Sequence, residues 1–259
     1  MEAETSCTHI QTNVGKIAIQ VKKTNADKTP LILLHGVYFD HHLWDYQSNK
    51  INDRTVIAID MPYHGKSREI TKANWTLNDC ADMLIEILDS LEIRKAVAVG
   101  HSWGSMTILR AAHRHPQRFE SIGLCNMPLH AATKKQKAVK WFQHLMLPFR
   151  KFYMKKAAEA LFGKKSLAED PSLFDQLSRP MSILTDKEVK EIDKKVILDA
   201  EDTTSLILQM QVKAKALKGK EDYVPAPRGI ETVLVEGGHI SPLEEPQKVL
   251  EFIRSLTDQ

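Results

Sequence analysis

The sequence predicts an α/β protein: a mostly parallel, eight-stranded sheet flanked by helices, with a helical insertion late in the chain. Three observations carry this expectation. Short apolar runs without alternation read as strands covered on both faces. Stretches with a helical apolar period separate them, so connections should be right-handed crossovers. Between about residues 130 and 206 the alternation stops and only helix signals remain.

In chain order, residues 9–11 and 16–21 alternate around Asn13-Val14-Gly15 and read as a hairpin. Continuous apolar runs follow at 31–34, 56–59, 96–99 and 122–125, bounded by Gly, Pro or Asp. Residues 77–91 put Leu77, Cys80, Ala81, Leu84, Ile85, Leu88 and Leu91 on one helical stripe, and a second helix over 106–115 stops at Pro116. The clearest helices of the insertion are 134–146, 152–163 and 186–198. Strands resume at 213–218 and 232–235, and a helix over 246–256 closes the chain. The strands after the insertion need the earlier ones to pair with. The insertion is therefore a cap (130–206) on one core (1–129 and 207–259), over the carboxyl ends of the strands where ligands bind.

Bulk properties narrow the function. The 259 residues are 42% hydrophobic and 27% charged, ordinary for a soluble globular protein with a real core. A net charge of +3, with no recognisable motif, gives no reason to expect nucleic acid. Cys7, Cys80 and Cys125 are far apart and form neither a disulfide framework nor a metal-ligand spacing. The opening MEAETSCTHIQ has no apolar run and does not read as a signal peptide. No stretch approaches the roughly 18 apolar residues of a membrane span. A cytoplasmic enzyme is the expectation.

The chemistry concentrates at Gly100-His101-Ser102-Trp103-Gly104, directly after the 96–99 run and directly before a helix. A serine there needs a sharp strand-to-helix turn, and only small residues two positions either side let the backbones approach. The helix start adds unpaired N–H groups and a positive dipole end beside the hydroxyl. Ser102 is the expected nucleophile.

With Leu31-Ile32-Leu33-Leu34-His35-Gly36, Asp60-Met61-Pro62-Tyr63-His64-Gly65-Lys66-Ser67, Gly219-Lys220-Glu221-Asp222-Tyr223-Val224-Pro225, Gly238-His239 and Glu244-Glu245-Pro246 in this order around Ser102, the chain resembles a capped serine hydrolase of the α/β-hydrolase superfamily, esterase- or lactonase-like. The resemblance covers nearly the whole chain outside the cap. It implies the α/β-hydrolase fold, an acyl-enzyme mechanism and no cofactor.

An alcohol of ordinary acidity is a poor nucleophile, so Ser102 needs an imidazole. The resemblance puts that histidine in the loop carrying His239, among eleven histidines in the chain. His101 would point away on the elbow, and His35 and His64 fall in structural loops of the family. The family's orienting carboxylate falls at Asp222, with Glu221 as the alternative. Seventeen positions separate Asp222 from His239, and Pro225-Ala226-Pro227-Arg228-Gly229 leaves no room for the helix usual between these strands. The oxyanion hole is expected from the backbone N–H groups of Val37 and Trp103. Asp60, Gly65 and Ser67 match a structural loop, with Tyr63 where that loop more often has Gly.

Other chemistries fit less well. His113-Arg114-His115 lacks the Asp-His that should follow in a zinc-dependent lactonase, and Asp40-His41-His42 lacks partners at ligand spacing, so no metal is implied. Serine at the nucleophile position argues against haloalkane dehalogenase and epoxide hydrolase chemistry, which needs a carboxylate. From Lys134 to Lys165 the cap carries ten Lys or Arg against one acid, Glu159, interleaved with Trp141, Phe142, Phe149 and Phe152. Its apolar stripe is expected to cover the site while the lysines face water. Gly36, Trp141 and Phe142 are the candidate substrate-binding residues. A sharper version has the apolar face lining an acyl pocket and the basic face attracting an anionic substrate or membrane, but membrane association is not the expectation.

The expected substrate is a small to medium carboxylic ester or lactone. Two relatives by resemblance stay open: carbon–carbon bond hydrolases of the meta-cleavage type, and proline iminopeptidases. The latter carry a Gly-Gly-Pro-Gly run where Val37-Tyr38-Phe39 stands here. A ligand-binding receptor on the same fold is the non-enzyme alternative. Oligomeric state is not encoded in any motif.

Overall fold

A hairpin opens the chain in the computed structural model, which describes residues 5–257. β1 (Thr5–Thr12) and β2 (Gly15–Lys22) pair antiparallel, and β1 forms one edge with its first five residues exposed. β3 (Leu31–Leu34) and β4 (Val56–Ile59) follow, each buried at every position, as continuous apolar runs require when both faces are covered. β5 (Glu69–Ile70) is a two-residue strand off the main path, paired with β2. β6 (Ala96–His101), β7 (Phe119–Cys125), β8 (Lys213–Gly219) and β9 (Glu231–Val235) complete the sheet.

The path of eight strands runs β1-β2-β4-β3-β6-β7-β8-β9, and every pairing from β4 to β9 is parallel. With β5 the sheet has nine strands, one more than the sequence reading, because two residues carry no periodicity. Strand order reverses between the neighbours β3 and β6. Such a reversal is the place where loops diverge and ligands bind in open α/β sheets.

The flanking helices are α1 (Asp45–Lys50), α2 (Leu77–Ser90), α3 (Trp103–Arg114) and α11 (Pro246–Thr257), with a short α10 (Ser241–Glu244) before the last. α2 and α3 pack together on one side, and α1 packs with α11 on the other. α2 starts at a capping box, Thr76 with Asp79, which satisfies two of its free amides. Its buried stripe uses Met83 and Ile87 where the sequence pattern had Ile85 and Leu91, which are half-buried. α3 begins three residues earlier than its apolar period indicates, directly at Trp103, and everything from Trp103 to Ala112 is buried.

Between β7 and β8 the chain is helical. α4 (Lys134–Leu145), α5 (Arg150–Leu161), α6 (Lys164–Glu169), α7 (Ser172–Ser182), α8 (Asp186–Ile192) and α9 (Thr204–Leu208) follow one another, and α8 runs into a π-helical turn over Asp193–Leu198. Tyr153, Phe162, Leu177, Met181, Val189 and Ile192 form the inner side of this block and join the sheet's core in one cluster. The block meets loops at the carboxyl ends of the strands: Thr203 bonds Leu129 O beyond β7, and Leu161 O accepts from the loop beyond β9. Among the described residues no helix is long and apolar enough to cross a membrane.

Candidate active site

Ser102 stands between the end of β6 and the start of α3, with φ 49° and ψ −108°, a conformation side chains disfavour. The turn is held by Ser102 N–H to Cys125 O at 2.8 Å and Gly104 N–H to His35 O at 3.1 Å. It closes only because its flanks lack side chains: a Cβ on Gly100 would stand 2.4 Å from the Gly104 carbonyl carbon, and one on Gly104 2.3 Å from Leu34 O. His101 and Trp103 on either side are buried, whereas Ser102 is partly open.

The imidazole of His239 meets this hydroxyl, with Nε2 at 3.0 Å from Ser102 Oγ and Nδ1 at 2.9 Å from Asp222 Oδ1. Nδ1–H donates to the carboxylate, which leaves Nε2 free to accept from the serine. Asp222 also accepts from Val224 N–H at 3.0 Å and from Asn126 Nδ2 at 2.9 Å. Burial pushes its carboxyl upward, but the bond and charge of His239 and the two further donors outweigh that and hold it below the usual carboxylate range. Glu221 turns elsewhere, toward the Lys164 amide at 3.2 Å, so the structure brings Asp222 and not Glu221 to the histidine. The loop from β8 to β9 contains no helix.

His239 is fixed from several sides. Its N–H donates to Leu161 O at 2.6 Å, and His101 Nε2 lies 2.7 Å from its carbonyl oxygen. The Glu244 carboxylate accepts from the amides of Gly163, Gly238 and Ile240 at 2.7, 2.8 and 3.0 Å. Tyr223 stacks on the imidazole, ring centres 4.9 Å apart. His101 itself stays neutral: burial, then the neighbouring His239, push its pKa down to about 3.

Gly36 and Val37 follow β3, and a Cβ on Gly36 would lie 3.1 Å from Ser102 Cβ. A Cβ on Gly36 would lie 2.4 Å from His101 Nδ1, so this position abuts the elbow. Among the described residues neither the Val37 nor the Trp103 amide makes a loop or cap hydrogen bond to the backbone. Two buried neutral histidines set the turn. His35 Nε2 accepts from Met61 N–H at 2.8 Å, and His64 Nε2 accepts from Tyr38 N–H at 3.0 Å. Burial is the main cause that lowers their pKa values to about 3 and about 4, and protonation would destroy both acceptors. Asp60 accepts from the His41 and Lys66 amides, and Tyr63 takes φ 69°, the backbone a glycine would favour.

Tyr38 links this turn to the helical block. Its hydroxyl lies 2.5 Å from Asp193 Oδ1 and 3.1 Å from Tyr153 Oη. Asp193, fully buried at the π-helical turn, also meets His144 Nε2 at 2.8 Å and Lys140 Nζ at 3.5 Å. Desolvation raises its pKa, and Lys140, His144 and Tyr38 more than offset it, so the carboxylate form is favoured.

Two sequence expectations need correction. Trp141 and Phe142 do not cover the site: they are 65% and 61% exposed, and no residue of α4 is buried. The sequence spacing identified an apolar stripe but not its direction, and α4 is docked by Lys140 and His144 on the opposite side. Asp40, His41 and His42 do bring ligand-capable atoms within 4.8 Å of one another. His41 is tied to Asp60 at 2.9 Å and His42 to Asp45 at 2.8 Å, while Asp40 Oδ1 caps the turn by accepting from His42 N–H. A cavity of about 460 Å³ lined by residues 50–53, Arg254 and Thr257 includes no residue of this site. Asn126, Asp193, Tyr223 and Glu244 are the site's unpredicted members. Asn126 had one usable signal, its position at the end of a strand neighbouring β6, and Glu244 another, in the Glu-Glu-Pro segment.

A family model described as the alpha/beta hydrolase fold matches residues 29–151. The dihydrolipoyllysine-residue acetyltransferase component of the acetoin cleaving system of Pseudomonas putida is 27% identical over 87% of this chain and 64% of its own length. A shorter match is epoxide hydrolase 1 of Caenorhabditis elegans, 23% identical over 53% of this chain and 35% of that protein. This chain thus spans less than two thirds of either relative. Among solved structures, a thermophilic esterase of Thermogutta terrifontis superposes with a TM-score of 0.82 at 19% identity, covering 97% of this chain and 99% of that one. The enol-lactonase of Burkholderia xenovorans LB400 gives 0.85 at 18% identity, covering 97% and 100%. Strand order, the strand–serine–helix turn and these similarities agree, and the chain has the α/β-hydrolase fold.

Proposed function

We propose that this protein is a serine hydrolase that cleaves small to medium carboxylic esters or lactones through an acyl-enzyme. One observation carries the reading: the unbroken chain Ser102 Oγ, His239 Nε2, His239 Nδ1, Asp222 Oδ1, with contacts of 3.0 and 2.9 Å. Likeness in fold to an esterase and a lactonase supports it.

In this mechanism Ser102 Oγ attacks the substrate carbonyl carbon as its proton passes to His239 Nε2. The oxygen, now negative, accepts from the Val37 and Trp103 amides. Collapse breaks the ester C–O bond, and the leaving alkoxide takes the proton from Nε2. A water then gives its proton to the same nitrogen and attacks the acyl carbon. Collapse this time releases the carboxylic acid and returns the proton to Ser102. Asp222 stays ionised throughout and stabilises the imidazolium. The elbow residue separates this reading from epoxide opening, since a serine ester and an alkyl-aspartate are different intermediates. Residues 130–206 would act as a cap that joins the crevice through Tyr38 and Leu161.

A fluorophosphonate probe tests the assignment. The wild type should label and Ser102→Ala should not, and a panel of nitrophenyl esters and lactones should be turned over by the first alone. Labelling that persists in Ser102→Ala would overturn the proposal.

A further inference from the structure

α4 is mounted inside out. Its apolar positions Ala138, Trp141, Phe142 and Leu145 follow the i, i+3, i+4, i+7 spacing of a single stripe. Such a stripe normally faces the core, yet Trp141, Phe142 and Leu145 are 65, 61 and 52% exposed. The side turned inward is the polar one, where Lys140 and His144 reach buried Asp193. Phe149 and Phe152, 64 and 48% exposed, extend the apolar surface into the linker and α5. Among the described residues, six of the eleven large exposed hydrophobics fall within positions 139–152.

Charge narrows what covers this surface. Residues 134–156 contain eight Lys or Arg and no Asp or Glu. Lys134, Lys135, Lys137, Lys151, Lys155 and Lys156 are exposed around the aromatic rings, and Lys156 Nζ lies 5.7 Å from the Phe152 ring centre. A second copy meeting this face by two-fold symmetry would set like charges against one another. A surface that is apolar inside and anionic at its rim satisfies both halves of the patch: aromatic rings enter the headgroup boundary while lysines stay at the phosphates.

We propose that α4 and the start of α5 form a docking face for an anionic phospholipid bilayer. The sequence alone did not favour a membrane because the stripe was expected to point inward, and its orientation reverses that expectation. The binding is independent of the hydrolytic chemistry, so Ser102→Ala keeps it.

The chain carries its own reporter. Trp44, Trp75 and Trp103 are at most 1% exposed, and Trp141 is the one open tryptophan of the four. Full-length protein mixed with vesicles of phosphatidylcholine plus phosphatidylserine should sediment with them and shift its tryptophan emission to shorter wavelength. Pure phosphatidylcholine should give little of either, and added salt should reverse both. The variants Phe142→Ser with Phe149→Ser, and Lys134→Glu with Lys135→Glu and Lys137→Glu, should each lose at least about tenfold in vesicle affinity. Unchanged thermal unfolding would show that they still fold, and the wild-type salt series tests the claim without them. The inference fails if wild type ignores anionic vesicles, or binds both vesicle types alike at every salt concentration. It also fails if wild type proves to be a dimer that Phe142→Ser dissociates.

Discussion

At the scale of residues, the site depends on side chains that accept or donate in one direction only. Asp222→Asn replaces an acceptor with a group that offers N–H where His239 Nδ1–H already points, so the wrong tautomer is favoured. We expect kcat on a nitrophenyl ester to fall roughly ten-thousandfold, while Glu221→Gln stays near wild type. Comparable losses in the two would remove Asp222 from the role given to it. Tyr38→Phe deletes the hydroxyl between the turn after β3 and buried Asp193. It should lower kcat roughly tenfold with little change in KM, and an unaltered kcat would mean the turn holds without that tie. Ser102 was legible because strand, sharp turn and helix leave local marks in the sequence, whereas His239 was singled out from eleven histidines only through the family resemblance of its loop. Asp193 and Asn126 were not, since their partners Tyr38 and Asp222 stand 155 and 96 positions away and no local pattern encodes such distances.

Among elements, the loop from β9 into α10 has the tightest fastening. Three amides converge on the Glu244 carboxylate, one of them from the helical block. Charge-assisted bonds of this kind contribute about 1.5–3 kcal/mol each. Activity and unfolding temperature should both decline in the order Glu244, Glu244→Gln, Glu244→Ala, as the acceptor oxygens are removed. A variant series with flat kcat would leave Glu244 purely structural. β3 and β4 were readable, since they are buried at every residue and uniformly apolar, whereas two-residue β5 was not. The direction of α4 was not readable. Periodicity gives the angular width of an apolar face, and only a neighbour such as Asp193 decides where that face points.

For the whole molecule, three buried neutral histidines tie stability to pH. His35, His64 and His101 have pKa values near 3, 4 and 3, against an ordinary 6.5. Below that ordinary value the unfolded chain takes up protons that the folded chain refuses, so stability is full above about pH 6.5 and declines toward pH 4. The slope approaches about 1.4 kcal/mol per pH unit for each histidine. Thermal unfolding from pH 7.5 to 4.5 should fall steeply, and a flat profile down to pH 5 would contradict the neutral assignments.

The hold on His239 also limits how the crevice can be entered. Gly163 and Gly238 touch so closely that a Cβ on Gly238 would lie 2.5 Å from Gly163 N, and Leu161 O grips the histidine's own amide. Swinging the α5–α6 junction outward like a door would therefore carry the His239 imidazole off the Ser102 hydroxyl. In the proposed mechanism any widening has to leave the α5–α6 corner in place as a fixed jamb.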